Sequence, residues 1–128
     1  MLNLRGNIIL IITKKMIKET RVVIVQILGG VDMPEVNTIR DIVTPIAKEY
    51  GLKRIYLFGS YAKGTANEDS DIDLLIEKGR ALTLIGLSGF RQAVEEKMNL
   101  SVDVVTMSGI AEDFYNAIRG TEVLLYEE

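Results

Sequence analysis

The chain contains neither cysteine nor histidine. Disulfides, thiolate or imidazole metal sites, cysteine or histidine nucleophiles and a histidine general base are all excluded. Any acid–base or metal chemistry must therefore fall to carboxylates. Long apolar runs are missing as well. The segment Asn7–Ile12 is too short to span a bilayer, and Lys14-Lys15 follow it closely. Read as a signal peptide, it has a short apolar region and no A-x-A-like cleavage site. An excess of positive charge is also lacking. A net charge of −3 argues against a broad basic grip on DNA or RNA, so a free nucleotide or a protein is the expected substrate. No G-x-x-x-x-G-K-[ST] or G-x-G-x-x-G pattern occurs, which removes the Walker loop and the Rossmann fingerprint. What remains is 128 residues, 48% hydrophobic and 26% charged, enough for one core and too few for two ordinary domains.

The informative stretch is Leu57 to Ile76, LFGSYAKGTANEDSDIDLLI. A β-rich run, Ile55-Tyr56-Leu57-Phe58, stops at Gly59-Ser60. A glycine where a strand breaks permits positive φ and close backbone approach to a ligand. A helical turn opening at SYAKG would aim free N–H groups at an anion, with Ser60 adding a hydroxyl and Lys63 a positive charge. Taken alone, an ordinary turn explains this equally well, and Lys63 reads equally as a solvated lysine. Ten residues later, Asp71 and Asp73 occupy alternate positions of a second apolar run. Side chains alternate along a strand, so both carboxylates share one face while Ile72 and Leu74 take the other. Two like charges there repel and raise one pKa unless a cation intervenes. Mg²⁺ suits such a pair, since it takes one or two carboxylates plus phosphate oxygens. For an isolated Asp-x-Asp, an edge strand facing water is the better reading. A third acid, Asp103, lies within the β-branched run Leu100–Met107. If that strand neighbours the first in register, three carboxylates converge on one or two metal ions, an arrangement suited to phosphoryl transfer.

Gly59-Ser60, ten residues, Asp71-x-Asp73 and a lone later acid, Asp103, together resemble the polymerase-beta-like nucleotidyltransferase superfamily. LFGSYAKG…SDIDLLIE…VDVVT is most similar to its smallest members, the minimal nucleotidyltransferases or MNT proteins, from about Val36 to Tyr126. The resemblance implies a small α/β (α+β) domain whose mixed sheet is flanked by helices. It implies an enzyme, dependent on Mg²⁺, that uses ATP as its nucleotide. Gly59 and Ser60 would hold the triphosphate, with Lys63 steadying a phosphate. Asp71 and Asp73 would bind metal, and Asp103 would bind a second metal or help deprotonate the acceptor. It further implies a cytoplasmic antitoxin, of the type VII-like kind, that transfers AMP to a tyrosine of an all-helical HEPN-type toxin in a hetero-oligomer. No membrane and no direct DNA or RNA contact is expected. Two rivals are a nucleotidyltransferase for a small molecule such as an aminoglycoside, and a toxin-binding antitoxin without enzymatic activity.

Along the chain, apolar residues from Val36 to Tyr50 recur at helical spacing, with Gly51 as the residue beyond the end and Pro45 expected to kink the helix. A strand is expected over Arg54–Phe58, then the turn and the loop GTANEDS, then an Asp-bearing strand over 71–77. Leu87, Phe90, Val94 and Met98 mark a helix with Arg91, Gln92, Glu95 and Glu96 on its outer face. After the Asp103 strand, a helix over 110–119 should turn Ile110, Phe114 and Ile118 inward and end at Gly120. A last short strand is expected over 121–126. Alternating strands and helices make an α/β domain. Residues 1–33 read as an N-terminal extension and 34–128 as the nucleotidyltransferase domain. Met1–Asp32 is expected to be upstream sequence read from a wrongly chosen start, or else an added strand or partner-binding arm. The domain leaves no room for a second, acceptor-presenting domain, so another protein should present the hydroxyl.

Overall fold

The computed structural model describes residues 33–80 and 82–128, and the expectations for residues 1–32 lie outside them. Helix α1 (Val36–Glu49) buries Ile39, Val43, Ile46 and Ala47, a spacing of three and four that gathers one apolar face. Gly51 follows with φ +66°, the left-handed residue that lets the chain leave the helix. Pro45 lies inside α1 on an exposed face, and the helix continues through it to Glu49. The chain then runs through β1 (Arg54–Phe58), the short helix α2 (Gly59–Lys63) and β2 (Ile72–Glu77). Helix α3 (Leu84–Met98) and β3 (Val102–Thr106) come next, followed by a 3₁₀ turn (Met107–Gly109), α4 (Glu112–Ile118) and β4 (Val123–Glu127).

The four strands form one mixed sheet in the order β3-β2-β1-β4. β1 is antiparallel to both β2 and β4, whereas β2 and β3 are parallel and joined through α3. A parallel pair requires such a crossover, because a tight hairpin can only return the chain antiparallel. The small α+β domain with a mixed sheet is therefore as expected.

The two faces of the sheet differ. On one, Ile55, Leu57, Ile72, Leu74, Ile76 and Val102 are buried with the apolar sides of α1 and α3. On the other, a smaller cluster joins Phe58 and Leu75 to Ile118, with Ile110 and Phe114 packed against it. Phe58 meets Phe114 edge-on, with ring centroids 5.4 Å apart. Strand alternation assigns Asp71, Asp73 and Asp103 to this second face, which only short elements cover.

Several boundaries differ from the sequence expectation. Helix α3 begins at Leu84, a turn before the Leu87 stripe, because the Thr83 hydroxyl accepts the Gly86 N–H at 3.0 Å and caps it. Leu84 and Ile85 in that first turn are exposed. Helix α4 begins at Glu112 instead of residue 110: Ile110 is extended but still packs inward beside Phe114 and Ile118. β2 starts at Ile72, one residue after Asp71.

Candidate active site

β1 and β2 pair so that Phe58, the last residue of β1, lies opposite Asp73. β2 and β3 pair so that Asp73 lies beside Asp103. In parallel strands, residues in register point to the same face, so the two carboxylates are brought side by side from positions thirty apart in sequence. Asp71 enters the same strand from the loop. The Ile72 N–H donates to the Ser101 carbonyl at 2.9 Å, which fixes the β2 entry against the β3 entry.

Gly59 brings α2 onto this carboxylate pair. Its φ is +73°, and a Cβ at this position would collide with Oδ2 of Asp73 and lie 3.1 Å from its Cγ. Only glycine permits both the backbone conformation and the contact. The motif glycine therefore seats the α2 entry directly on the acid. Ser60 is half-buried in the same turn, while Lys63 is exposed at the far end of α2.

The Asp73 carboxyl is pushed up to about 6, chiefly because burial disfavours its charge, with further repulsion from Asp103 and then Asp71. Asp103 is exposed, and Asp71 and Asp73 are half-buried. Among the described residues, no three carboxylates stand close enough to enclose a metal ion by themselves. Mg²⁺ does not require three, since it binds through one or two carboxylates and completes its shell with water and substrate phosphate. The donor set fits: hard oxygens only, mutually repelling, on an accessible face. Asp73 with Asp71 or Asp103 could hold such an ion.

Two supports escaped sequence reasoning. Glu95 was expected to face solvent, but it is half-buried and its Oε2 accepts the Val102 N–H at 3.2 Å, anchoring the residue before Asp103. No pattern in the sequence marks that bond, since it depends on α3 packing back beside β3. The loop before Asp71 is ordered by its own side chains. Oδ1 of Asn67 accepts the Asp69 N–H at 2.8 Å, and Oγ of Ser70 accepts the Asn67 N–H at 2.9 Å. The Asn and Ser spacing is a turn signal that could have been read.

The stretch that carries the Gly59 turn and these carboxylates matches a known domain. Residues 37–122 fit the model of the nucleotidyltransferase domain. The chain belongs to that family. A Methanocaldococcus jannaschii protein provisionally named a protein adenylyltransferase is 39% identical over 75 residues, covering 59% of this chain and 81% of its own. The protein adenylyltransferase MntA of Thermococcus cleftensis is 33% identical over 82 residues, covering 61% of this chain and 83% of its own. Among solved structures, the complex of the tri-AMPylated Shewanella oneidensis HEPN toxin with its MNT antitoxin shares the fold. It aligns with a TM-score of 0.57 at 19% identity, covering 73% of each chain. The nucleotidyltransferase domain here thus follows minimal relatives in both sequence and fold. None of its described helices is long and apolar enough to cross a membrane.

Proposed function

We propose that this nucleotidyltransferase transfers AMP from ATP to a protein hydroxyl, a tyrosine of a helical HEPN-type toxin, and so acts as the antitoxin of the pair in the cytoplasm. The observation that carries the reading is the register that sets Asp73 beside Asp103, with Gly59 packed onto Asp73. The protein adenylyltransferase names of its relatives support the choice of acceptor class.

In this reading, Gly59 and the α2 entry bring backbone close to the triphosphate, and the Ser60 hydroxyl donates to a phosphate oxygen. Lys63 offers a positive charge to the same group. Asp71 and Asp73 would hold Mg²⁺, which when bound would neutralise charge on the phosphates, and Asp103 could bind a second ion. Asp103, exposed on β3, would in this reading take the proton of the incoming hydroxyl. The acceptor oxygen bonds to the α-phosphorus, the bond to the bridging oxygen breaks, and pyrophosphate leaves. The acceptor itself comes from the partner.

Co-expression with a helical partner, followed by mass spectrometry of that partner, tests the reading. An AMP-sized increment is expected with the wild-type chain and not with Asp71→Asn/Asp73→Asn. A partner that stays unmodified and is nevertheless neutralised would leave a binding-only antitoxin and overturn the enzymatic assignment.

A further inference from the structure

The carboxylates occupy one end of the β1–β2 ladder. At the other, where β1 begins and β2 ends, an open groove of about 830 Å³ lies between the α1–β1 turn and the loop leaving β2. Lys48, Lys53, Lys78 and Arg80 line it. They are four of only ten cationic side chains in residues 33–128, a stretch that carries sixteen acids. Cations are thus gathered at this end, opposite the three aspartates.

The groove is constructed by close backbone packing. A Cβ on Gly79 would collide with the Gly51 carbonyl oxygen, so glycine at 79 is what lets the two loops meet. Lys78 and Arg80, on either side of Gly79, line the groove together with Lys53. Glu77, also at the groove, is already engaged by Lys53 at 3.5 Å and by Arg54 at 3.0 Å. Lys48, Lys78 and Arg80 form no ion pair among the described residues. Tyr126 contributes an aromatic wall. Structural roles account for part of this, since Lys48 complements the C-terminal end of α1. They do not account for Lys78 and Arg80, which converge on the same space.

We propose that this groove is a second anion site that binds a small diphosphate-bearing molecule of nucleotide size, with Lys78 and Arg80 on its phosphates. Its volume is in the range of small-molecule sites. Two acids at the groove, Glu77 and Glu128, and the acidic balance of the domain disfavour a long nucleic-acid strand, which needs a continuous basic track. The cations themselves hold the phosphates, so binding needs no divalent metal. The site rests on none of the aspartates and stands independently of the transfer reaction.

The test is nitrogen–proton NMR of the full chain in EDTA, titrated with inorganic pyrophosphate and, separately, with ADP. Saturable shifts of the Gly51 and Gly79 amides are expected, unchanged in Asp73→Asn. Lys78→Ala/Arg80→Ala should weaken binding about tenfold or more, since each charge-assisted phosphate contact is strong. Raising the salt concentration on the wild-type protein should weaken it as well, which keeps the test informative if the double variant misfolds. Equal affinity for both probes would assign recognition to the diphosphate alone, and tighter ADP binding would bring in Tyr126. Shifts confined to Gly59 and Ser60, no shift at all, or an unaltered affinity in a folded double variant would overturn the proposal. So would a single-stranded RNA oligonucleotide that binds the groove more tightly than either probe.

Discussion

Asp73 combines burial, two like-charged neighbours and a glycine backbone in contact with its carboxylate. Its folded pKa of about 6 lies above the ordinary value of 3.8. Between those values the native state binds a proton that the unfolded chain lacks. The contribution of this group to stability is therefore greatest at low pH and is lost as pH rises through about 6. In EDTA, the melting temperature of wild type relative to Asp73→Asn should fall between pH 4 and pH 7, measured by calorimetry. A constant difference across that window would contradict the assignment. Gly59 and Gly64 offer a second comparison, having φ of +73° and +74° but different surroundings. Gly64→Ala pays only backbone strain, about 1 kcal/mol, whereas Gly59→Ala adds a collision with Asp73 and should cost clearly more, by about 1–3 kcal/mol. Urea unfolding of the two variants decides this, and equal losses would mean that the Gly59 contact relaxes freely. For activity, Asp71→Asn and Asp73→Asn should each reduce transfer by more than the roughly 10–100-fold typical of residues one step removed from a metal. Near-wild-type turnover in Asp73→Asn would remove it from the site.

At the scale of elements, the site depends on how β3 is attached to β2. Three contacts hold the entry to β3: the parallel register, the Ile72 to Ser101 hydrogen bond, and Glu95 reaching from α3 to Val102. Removing the acceptor in Glu95→Ala should cost about 0.5–1.5 kcal/mol and lower turnover by shifting Asp103. Glu95→Gln keeps an acceptor and should recover most of both. Steady-state kinetics with parallel denaturation would show this, and equal turnover in the two variants would leave Glu95 a purely structural residue. The elements were largely legible beforehand. α1, β1 and the inward stripe of α3 follow from apolar spacing, and the glycine after β1 marked the turn. Boundaries were less legible, because Thr83 capping and the extended Ile110 are set by local hydrogen bonds and tertiary packing rather than by periodicity.

Across the described domain, the three aspartates and the cation-lined groove lie at opposite ends of the β1–β2 ladder, so metal and free anion should act at different places. Mg²⁺ or Mn²⁺ should raise the melting temperature above pH 6, where Asp73 is ionised. The effect should shrink below it, where protons compete for the same oxygens. A metal shift equal at pH 5 and pH 7.5 would argue against the aspartates as its source.

The sequence by itself determined the chemistry. With no cysteine and no histidine, metal ligation was left to oxygen donors, and strand alternation put Asp71 and Asp73 on one face. It also carried the family resemblance, through the spacing of Gly59-Ser60 to the two acids. It could not bring Asp103 to them, because that needs β2 and β3 to be parallel neighbours in register, a matter of how α3 crosses the sheet. Nor could it reveal that Gly59 is in contact with Asp73, that Glu95 turns inward, or that Lys78 and Arg80 line one groove with the α1–β1 turn. Each of these joins residues of different elements, and such proximity is decided only when the sheet and its covering helices pack together.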